Sequence, residues 1–181
     1  MTKYFTETGD DGYTGRLGKG RLAKHDRLIE AIGTIDEASA AIGLARASSK
    51  IQGNKDLLVG VQRDLYHLMA ELSATSENAS KFRVIDEDKV RGLESQIEAI
   101  GSDIVMPSEF IVPGDNLPGA AMSLARSIVR RAERRVSELL HAGEIENQQI
   151  LPYLNRLSSL CFVLELLENN STNISLAKKD S

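Results

Sequence analysis

The chain has 181 residues, of which 22 are Lys or Arg and 26 are Asp or Glu, and its formal net charge is −4. This length favours one domain with a sizeable core, and the acidic balance argues against a broad surface for nucleic-acid phosphates. Cys161 is the only cysteine, which excludes an internal disulfide and a CxxC pair and favours a reducing cytoplasm.

The first predicted element is a long loop over residues 1–24. It contains glycines at positions 9, 12, 15, 18 and 20 and shows no helical period. Its start lacks the basic and apolar runs of a signal peptide. Loops of this length are uncommon unless they bind something or are disordered, so a binding loop and a floppy terminus are both open on pattern alone.

Three amphipathic helices are predicted next, at about residues 26–47, 55–75 and 86–100. In each, apolar residues recur at spacings of three and four. Aromatic residues make up 4% of the chain and Trp is absent, so the core must consist of aliphatic side chains, which suit packed helices. No apolar stretch approaches the roughly 18 residues of a membrane span, and no membrane partner is expected.

The second half of the chain contains a connection, two more helices and a tail. Three prolines between residues 106 and 118 prevent a helix there. Helices are predicted at about 119–141 and 145–168, and residues 169–181 form a polar, frayed tail. The sequence therefore predicts an all-α, five-helix bundle without strands, as one domain over residues 1–181.

The N-terminal loop reads TETGDDGYTG from Thr6 to Gly15. Threonine hydroxyls and unhindered glycine amides at short spacing suit a polyphosphate, and Lys24 adds a positive charge before the first helix. No GxxxxGK[ST] motif is present, so the loop is not a Walker A loop.

The fourth helix carries an arginine ladder, defined here as Arg126, Arg130 and Arg134. On a helix these three residues lie within an arc of about 80°, with Glu133 beside them. Between residues 124 and 138 five arginines face two glutamates, which favours an anion site that uses bidentate guanidinium contacts. A solvated ladder of i,i+4 ion pairs is the plainer alternative.

The fifth helix carries YLNRLSS, in which Asn155 and Ser159 lie beside the apolar stripe. Asn155 is a candidate nucleotide contact or a plain surface amide. Glu138-x-x-His141 and Asp64-x-x-His67 have the spacing of metal ligands in helical bundles, but a di-iron centre needs inward-facing Glu on four helices and is disfavoured.

Taken together and in order, these motifs resemble the PduO-type ATP:cob(I)alamin adenosyltransferases. The matching segments are TETGDDGYTGRLGKGRLAKHDRLIEAIGTIDEASAAIG, FIVPG, ARSIVRRAERR and YLNRLSSLCFVL, which span most of the chain. The resemblance implies a five-helix bundle that forms a homotrimer, with ATP at each subunit interface. It also implies transfer of the 5′-deoxyadenosyl group of ATP to the cobalt of cob(I)alamin or a related corrinoid, with release of triphosphate.

The resemblance also assigns site residues by position. Arg126 corresponds to an arginine that pairs between subunits with an aspartate, here Asp36, and Phe110 to an aromatic beneath the corrin. Mg²⁺ is expected mainly on the ATP phosphates, with no protein metal site, and an electron-donating reductase is a further expected partner. The nucleotide-binding positions are Thr6, Thr8, Gly9, Thr14, Gly15, Lys24, Arg130, Glu133, Arg134 and Asn155.

Three positions depart from the family pattern. Ser159 replaces an aspartate, PGDNLPG stands where PGG is usual, and DEAS replaces DELN in the first helix. A non-catalytic ATP or cobalamin regulator and a ferritin-like metal bundle are the alternatives. We expect the N-terminal loop to be mobile before ATP binds.

Overall fold

The computed structural model describes residues 4–169 and 174–178. This part of the chain contains five long α-helices, one short one and a two-stranded hairpin. The hairpin consists of β1 (Tyr13–Gly15) and β2 (Arg21–Ala23). The long helices are α1 (Arg27–Ser48), α2 (Gln52–Ser73), α4 (Glu87–Gly101), α5 (Leu117–His141) and α6 (Ile150–Asn169), and the short one is α3 (Ser76–Ala79).

Side-chain caps fix the start of three helices. The carboxylate of Asp26 accepts from the backbone N–H of Leu28 at 2.8 Å, and Asp86 caps α4 in the same way through Lys89 N at 2.9 Å. Asn116 accepts from Gly119 N at 2.8 Å. These caps satisfy backbone donors that have no partner inside the helix. For α5, the cap places the helix start directly after the proline-containing connection.

The helices pack in the order α2, α1, α5, α6, α4, so that α5 lies between α1 and α6. Two side-chain contacts join α2 to α6 and help close the bundle. The buried Tyr153 hydroxyl donates to Asp64 Oδ2 at 3.0 Å, and Asn54 Nδ2 donates to Glu168 Oε1 at 2.8 Å. The largest side chains that are almost fully buried are Tyr153, Ile35, Ile42, Leu58, Leu65, Leu68, Ile85, Met122, Leu139, Ile150, Leu154 and Leu157.

The prediction of an all-α chain without strands is wrong for the N-terminal loop. Tyr13 pairs with Ala23, Thr14 with Leu22 and Gly15 with Arg21, in antiparallel register. Strands of three residues are too short to show an alternating pattern. The hairpin is anchored to the bundle because Leu17 N donates to Ser73 O at 3.0 Å and Thr75 N to Leu17 O at 3.1 Å.

The start of the fifth long helix also differs from the sequence prediction. It begins at Ile150 rather than at residue 145. The buried Asn147 occupies the turn before it and donates to Glu71 Oε2 at 3.2 Å and to Ile85 O at 3.0 Å. Its side-chain oxygen accepts from Gln149 N at 3.0 Å. This network holds the turn outside the helix, and tertiary contacts of this kind leave no periodic signal.

The expectation that no apolar stretch approaches the length of a membrane span is wrong for α6. This helix has 20 residues and, by length and composition, is apolar enough to cross a membrane. However, 61% of its most apolar window is buried inside the bundle. Its apolar surface therefore contacts the other helices, as expected for the core helix of a soluble protein.

The C-terminal tail was expected to be frayed, but its residues 174–178 are hydrogen bonded. Val112 N donates to Ser175 O at 2.8 Å, and Ala177 N donates to Phe110 O at 2.7 Å. Ser175 also donates to Asp115 through its backbone at 2.9 Å and through its hydroxyl at 2.7 Å. The segment is thus paired with the proline-containing connection. Residues 170–173 and 179–181 of the tail lie outside the described residues.

We predict that Asn147→Ala lowers the free energy of unfolding by about 1–3 kcal/mol, because it leaves the buried groups of Glu71 and Ile85 without their partner. Urea unfolding followed by circular dichroism measures this change. Gln148→Ala, at the exposed neighbouring position, is the matched control and should change stability by no more than about 0.5 kcal/mol. Equal losses in both variants would contradict a structural role for the Asn147 network.

Candidate active site

The N-terminal loop is held together by one guanidinium group. Arg21 donates to both carboxylate oxygens of Asp11 at 2.7 Å, to Thr8 O at 2.5 Å and to Tyr13 O at 3.1 Å. The Arg21 hydrogen bond lowers the pKa of Asp11, and Asp11 raises the pKa of Arg21. Because Asp11 pairs with Arg21, the positive charge of the guanidinium group offsets one of the negative charges in this loop. Sequence reasoning missed Arg21, since only the hairpin brings it opposite the loop.

Four of the predicted phosphate-binding residues form two pairs in this loop. The hydroxyls of Thr6 and Thr8 lie 2.9 Å apart. A Cβ added at Gly9 would lie 3.0 Å from Lys24 Nζ, so the ammonium approaches the backbone closely at this glycine. Lys24 N also donates to Gly12 O at 2.8 Å. The loop therefore presents hydroxyls and an ammonium together.

The two remaining loop positions, Thr14 and Gly15, lie on β1. Gly15 has no neighbouring atom within 4 Å of an added Cβ, so its backbone is open on one side. Thr14 pairs with Leu22 across the hairpin and is half-buried.

The arginine ladder occupies one side of α5. Arg130 and Arg134 are exposed, and Arg134 Nη1 donates to Arg130 O at 3.0 Å. Beside them Glu133 Oε1 accepts from Asn155 Nδ2 at 2.8 Å, which links α5 to α6. The structure thus joins four of the predicted nucleotide-binding residues in two pairs and leaves the guanidinium groups of Arg130 and Arg134 exposed.

The other two arginines of α5 pair with acidic side chains. Arg131 forms a salt bridge with Glu37 on α1, and Arg135 lies 3.7 Å from Glu30 and 3.8 Å from Glu138. This face of the helix is therefore solvated and ion-paired, but the pairs join α5 to α1 or residues three apart rather than residues four apart on the helix. Arg130 and Arg134 take part in no salt bridge among the described residues.

Nearer the start of α5, an open cavity of about 510 Å³ lies between the proline-containing connection and α6. Phe110 belongs to the proline-containing connection, lines this cavity and is 86% exposed. Arg126 lies with its guanidinium carbon 6.0 Å from the centre of the Phe162 ring. The cavity combines apolar walls with three charged residues, and its lining comprises Pro107, Ser108, Glu109, Phe110, Ile111, Pro113, Ser123, Arg126, Phe162 and Glu165.

Glu165 is a buried carboxyl in this cavity, 1% exposed, and sequence reasoning did not single it out. Burial raises its pKa, while a hydrogen bond from Ser123 and the charge of Arg126 oppose that rise. A charged residue within an apolar helical stripe is the signal that could have found it. The adjacent Cys161 is fully buried, which raises its pKa to about 12 and keeps it a thiol.

Two sets of predicted partners are not joined within the described part of one subunit. Asp36 is exposed on α1 and forms no salt bridge with Arg126 there. No hydrogen bond connects the loop residues Thr6 and Thr8 with Arg130 or Arg134. Ser159, where an aspartate was expected, is exposed, and its hydroxyl donates to Asn155 O at 3.5 Å.

The arrangement suits an extended anionic ligand next to a large apolar one. Exposed guanidinium groups, an ammonium and hydroxyls bind phosphate oxygens by charge-assisted hydrogen bonds. An apolar cavity of several hundred Å³ with a few polar groups is typical of a site for a large organic ligand. The exposed guanidinium groups and the cavity lie along α5, whereas the hydroxyls and the ammonium belong to the N-terminal loop. In the described residues no group of three or more His, Cys, Asp or Glu side chains is placed to hold a metal ion.

Comparison with known proteins identifies relatives along most of the chain. A family model described as cobalamin adenosyltransferase matches residues 4–168. A corrinoid adenosyltransferase from Bacillus subtilis is 38% identical over 176 residues, which cover 95% of this chain and 89% of that protein. The corrinoid adenosyltransferase PduO from Salmonella typhimurium is 34% identical over 93% of this chain, but the match spans only 50% of its length.

Solved structures agree with these sequence matches. A variant of the PduO-type ATP:corrinoid adenosyltransferase from Lactobacillus reuteri, complexed with cobalamin and ATP, superposes with a TM-score of 0.89. It is 28% identical, and the match covers 98% of this chain and 100% of that one. Another variant of that enzyme, complexed with ATP, has a TM-score of 0.85 at 28% identity over 96% and 99% of the two chains.

We predict that Arg21→Ala accelerates backbone amide exchange in the N-terminal loop, because it removes the hydrogen bonds to Asp11, Thr8 and Tyr13. Hydrogen–deuterium exchange with mass spectrometry measures the effect on residues 8–24. Lys19→Ala removes an exposed cation from the same hairpin and is the control. Identical exchange in the wild type and the Arg21 variant would show that this residue does not order the loop.

Proposed function

Because this chain belongs to the cobalamin adenosyltransferase family, we infer that it is a corrinoid adenosyltransferase with ATP and a corrinoid as substrates. The enzyme transfers the 5′-deoxyadenosyl group of ATP to the cobalt of cob(I)alamin or a related corrinoid and releases triphosphate. One observation carries this proposal. The helix α5 has exposed arginines beside the Glu133–Asn155 pair and an apolar cavity near its start.

In this reaction the cobalt of the substrate is the nucleophile. A bond forms between cobalt and C5′ while the bond between C5′ and the phosphate oxygen breaks, and triphosphate leaves with the electron pair. The protein therefore supplies binding and orientation rather than a nucleophile. Cys161 is consistent with this reading, because it is buried and its raised pKa keeps it protonated.

The nucleotide side of the site consists of the loop and the ladder. We propose that Thr6, Thr8, Gly9 and Lys24 contact the triphosphate, together with the hairpin residues Thr14 and Gly15. Arg130 and Arg134 are proposed to bind phosphate oxygens as well, since both are exposed and outside the ion pairs that hold their neighbours. The positive charge of these side chains stabilises the negative charge that develops on the leaving triphosphate.

Glu133 and Asn155 are proposed to contact the nucleotide from the joint between α5 and α6. Their hydrogen bond of 2.8 Å fixes both side chains, so a ligand meets them already oriented. Arg156 supports the pair, because its Nη1 donates to Asn155 Oδ1 at 2.8 Å while its Nε donates to Glu94 at 2.8 Å.

The corrinoid side of the site is the cavity beside α5. We propose that Phe110 lies against the corrin ring and helps to keep the lower axial ligand off the cobalt. A ring that is 86% exposed has no packing role of its own within the chain, which suits a contact to a large apolar ligand. Losing the lower ligand makes the cobalt easier to reduce, and a cytoplasmic reductase is the proposed source of the electron.

We propose a homotrimer in which ATP binds between subunits. This accounts for two observations among the described residues of one chain: Arg126 forms no salt bridge with Asp36, and the loop makes no hydrogen bond to the ladder. An intersubunit pair between Arg126 and Asp36 would bring one subunit's α1 against its neighbour's α5. The exposed Leu44 and Leu124, both 49% exposed, lie on these same two helices.

Mg²⁺ is proposed to accompany ATP. The described loop offers hydroxyls and a single ammonium near Gly9, but not a cluster of carboxylates around one point. This donor set fits a cation that is bound mainly through phosphate oxygens and water, as is usual for Mg²⁺.

The reaction itself is the first test. Incubation of the protein with ATP, Mg²⁺ and chemically reduced cobalamin should produce the spectrum of adenosylcobalamin and an equal amount of triphosphate. A protein that binds both ligands without forming either product would be a regulator rather than an enzyme. Such an outcome would refute the proposed function.

Arg130→Ala should lower kcat/KM by at least about 10-fold to 100-fold, because it removes a charge-assisted hydrogen bond to phosphate worth about 1.5–3 kcal/mol. Arg131→Ala is the matched control one residue along, since Arg131 pairs with Glu37. It should retain activity within about threefold, because an exposed ion pair contributes about 0–1 kcal/mol. Comparable losses in the two variants would contradict the division of the arginines by role.

Asp36→Ala should shift the protein from trimer towards smaller species at micromolar concentration, because it leaves Arg126 without its partner across the interface. Glu37→Ala is the control, since Glu37 pairs within its own chain. Sedimentation velocity measures both, and the charge exchange Asp36→Arg with Arg126→Asp should restore assembly in part. A wild type that sediments as a monomer would refute the trimer.

A further inference from the structure

The cavity beside α5 contains two polar atoms that the chain does not satisfy. Within the described residues Arg126 Nε and Glu165 Oε1 have no hydrogen-bond partner, although both are buried. Both residues line the same cavity as Phe110 and Phe162. Buried polar atoms in folded proteins nearly always have a partner. A donor and an acceptor without partners in the described part of the chain, on two residues that line one cavity, therefore point to a ligand group that supplies both.

The two open atoms define the chemistry of that group. Arg126 Nε can only donate a hydrogen bond, and we take Glu165 to be ionised beside the charge of Arg126, so that its carboxylate can only accept. A primary carboxamide has a carbonyl oxygen for the first and an N–H for the second. A ligand carboxylate satisfies Arg126 but sets a second negative charge beside Glu165, which is unfavourable in a buried site.

We propose that Glu165 and Arg126 form a subsite for a primary carboxamide at the edge of the corrin ring. The chain then selects corrinoids whose peripheral groups are amidated over corrinoids that carry free carboxylates. This inference rests on the proposed function, because it assigns a substrate feature to the same cavity. Glu165 is a specificity-determining residue in this scheme and takes no part in the transfer of the adenosyl group.

The subsite is compatible with the proposed contact between Arg126 and Asp36. A guanidinium group donates five hydrogen bonds in a planar fork. The unsatisfied atom is Nε, at the base of the fork, and the two Nη groups are left for a carboxylate of another subunit. The stacking of Arg126 against Phe162 at 6.0 Å holds the plane of this fork.

Glu109 provides a matched control at the same cavity. It also lines the cavity, but it is exposed and lies 3.8 Å from Lys178. Its charge is screened by water and paired with a cation, so it should not distinguish an amide from a carboxylate. A comparison of Glu109→Gln with Glu165→Gln therefore separates a local contact from a general change in charge.

The test compares the binding of two corrinoids that both lack the nucleotide loop. Cobinamide carries peripheral amides and cobyrinic acid carries carboxylates, and absorbance titrations of their cob(II) forms in the presence of ATP give the two dissociation constants. We expect the wild type to bind cobinamide at least about 10-fold more tightly, which is the effect of one charge-assisted hydrogen bond. Glu165→Gln should reduce this ratio about 10-fold, and Glu109→Gln should leave it within about twofold.

Three results would overturn the subsite: a wild type without preference, an unchanged ratio in Glu165→Gln, or the same change in Glu109→Gln. Thermal unfolding of each variant identifies a loss of fold, and Glu165→Leu, which also removes the charge, replaces Glu165→Gln if that variant does not fold. Transfer of the adenosyl group to cobinamide and to cobalamin is measured in parallel. Absence of transfer to both cobinamide and cobalamin in the wild type refutes the proposed function, whereas transfer with an unchanged ratio refutes only the subsite.

Discussion

The packing of α5 between α1 and α6 is the constraint on which the site depends. The middle of the buried stripe of α5 consists of small and β-branched residues, and Ala125, Val129, Ala132 and Val136 are all 0% exposed. Such side chains let helices approach closely and fix the rotation of α5 about its axis. Once that rotation is fixed, the side of the helix on which each arginine side chain lies is also fixed. One side meets α1, and the other faces the solvent next to α6.

This rotation sorts residues of one type into different roles. Arg131 and Arg135 turn towards the acidic side chains of α1, where they form ion pairs that contribute little to stability. Arg130 and Arg134 turn away from those acids, and Arg126 lies at the cavity. A helix in a mildly acidic protein can therefore carry a cationic site, because only the orientation of the side chains decides which charges remain unpaired.

Much of the framework follows from the sequence, and the omissions have physical causes. The five long helices were predicted from the spacing of apolar residues, which gave most of their ends to within a few residues. The β-hairpin, the late start of α6 and the paired segment 174–178 were not predicted. Each depends on hydrogen bonds between distant parts of the chain, and such contacts leave no local period.

By itself, the sequence determined the helical class, the family resemblance and the residue types available for binding ATP and a corrinoid. Charge, hydroxyls and glycine spacing are local properties, so the order of the motifs was sufficient for these conclusions. Only the tertiary structure decided which polar and charged groups have hydrogen-bond or ion-pair partners. Arg21 orders the loop from across a hairpin, and Glu165 and Arg126 share one cavity although they lie on different helices. Burial and pairing are set by packing between elements, and for that reason a buried carboxylate oxygen without a hydrogen-bond partner among the described residues, such as Glu165 Oε1, is visible only in the fold.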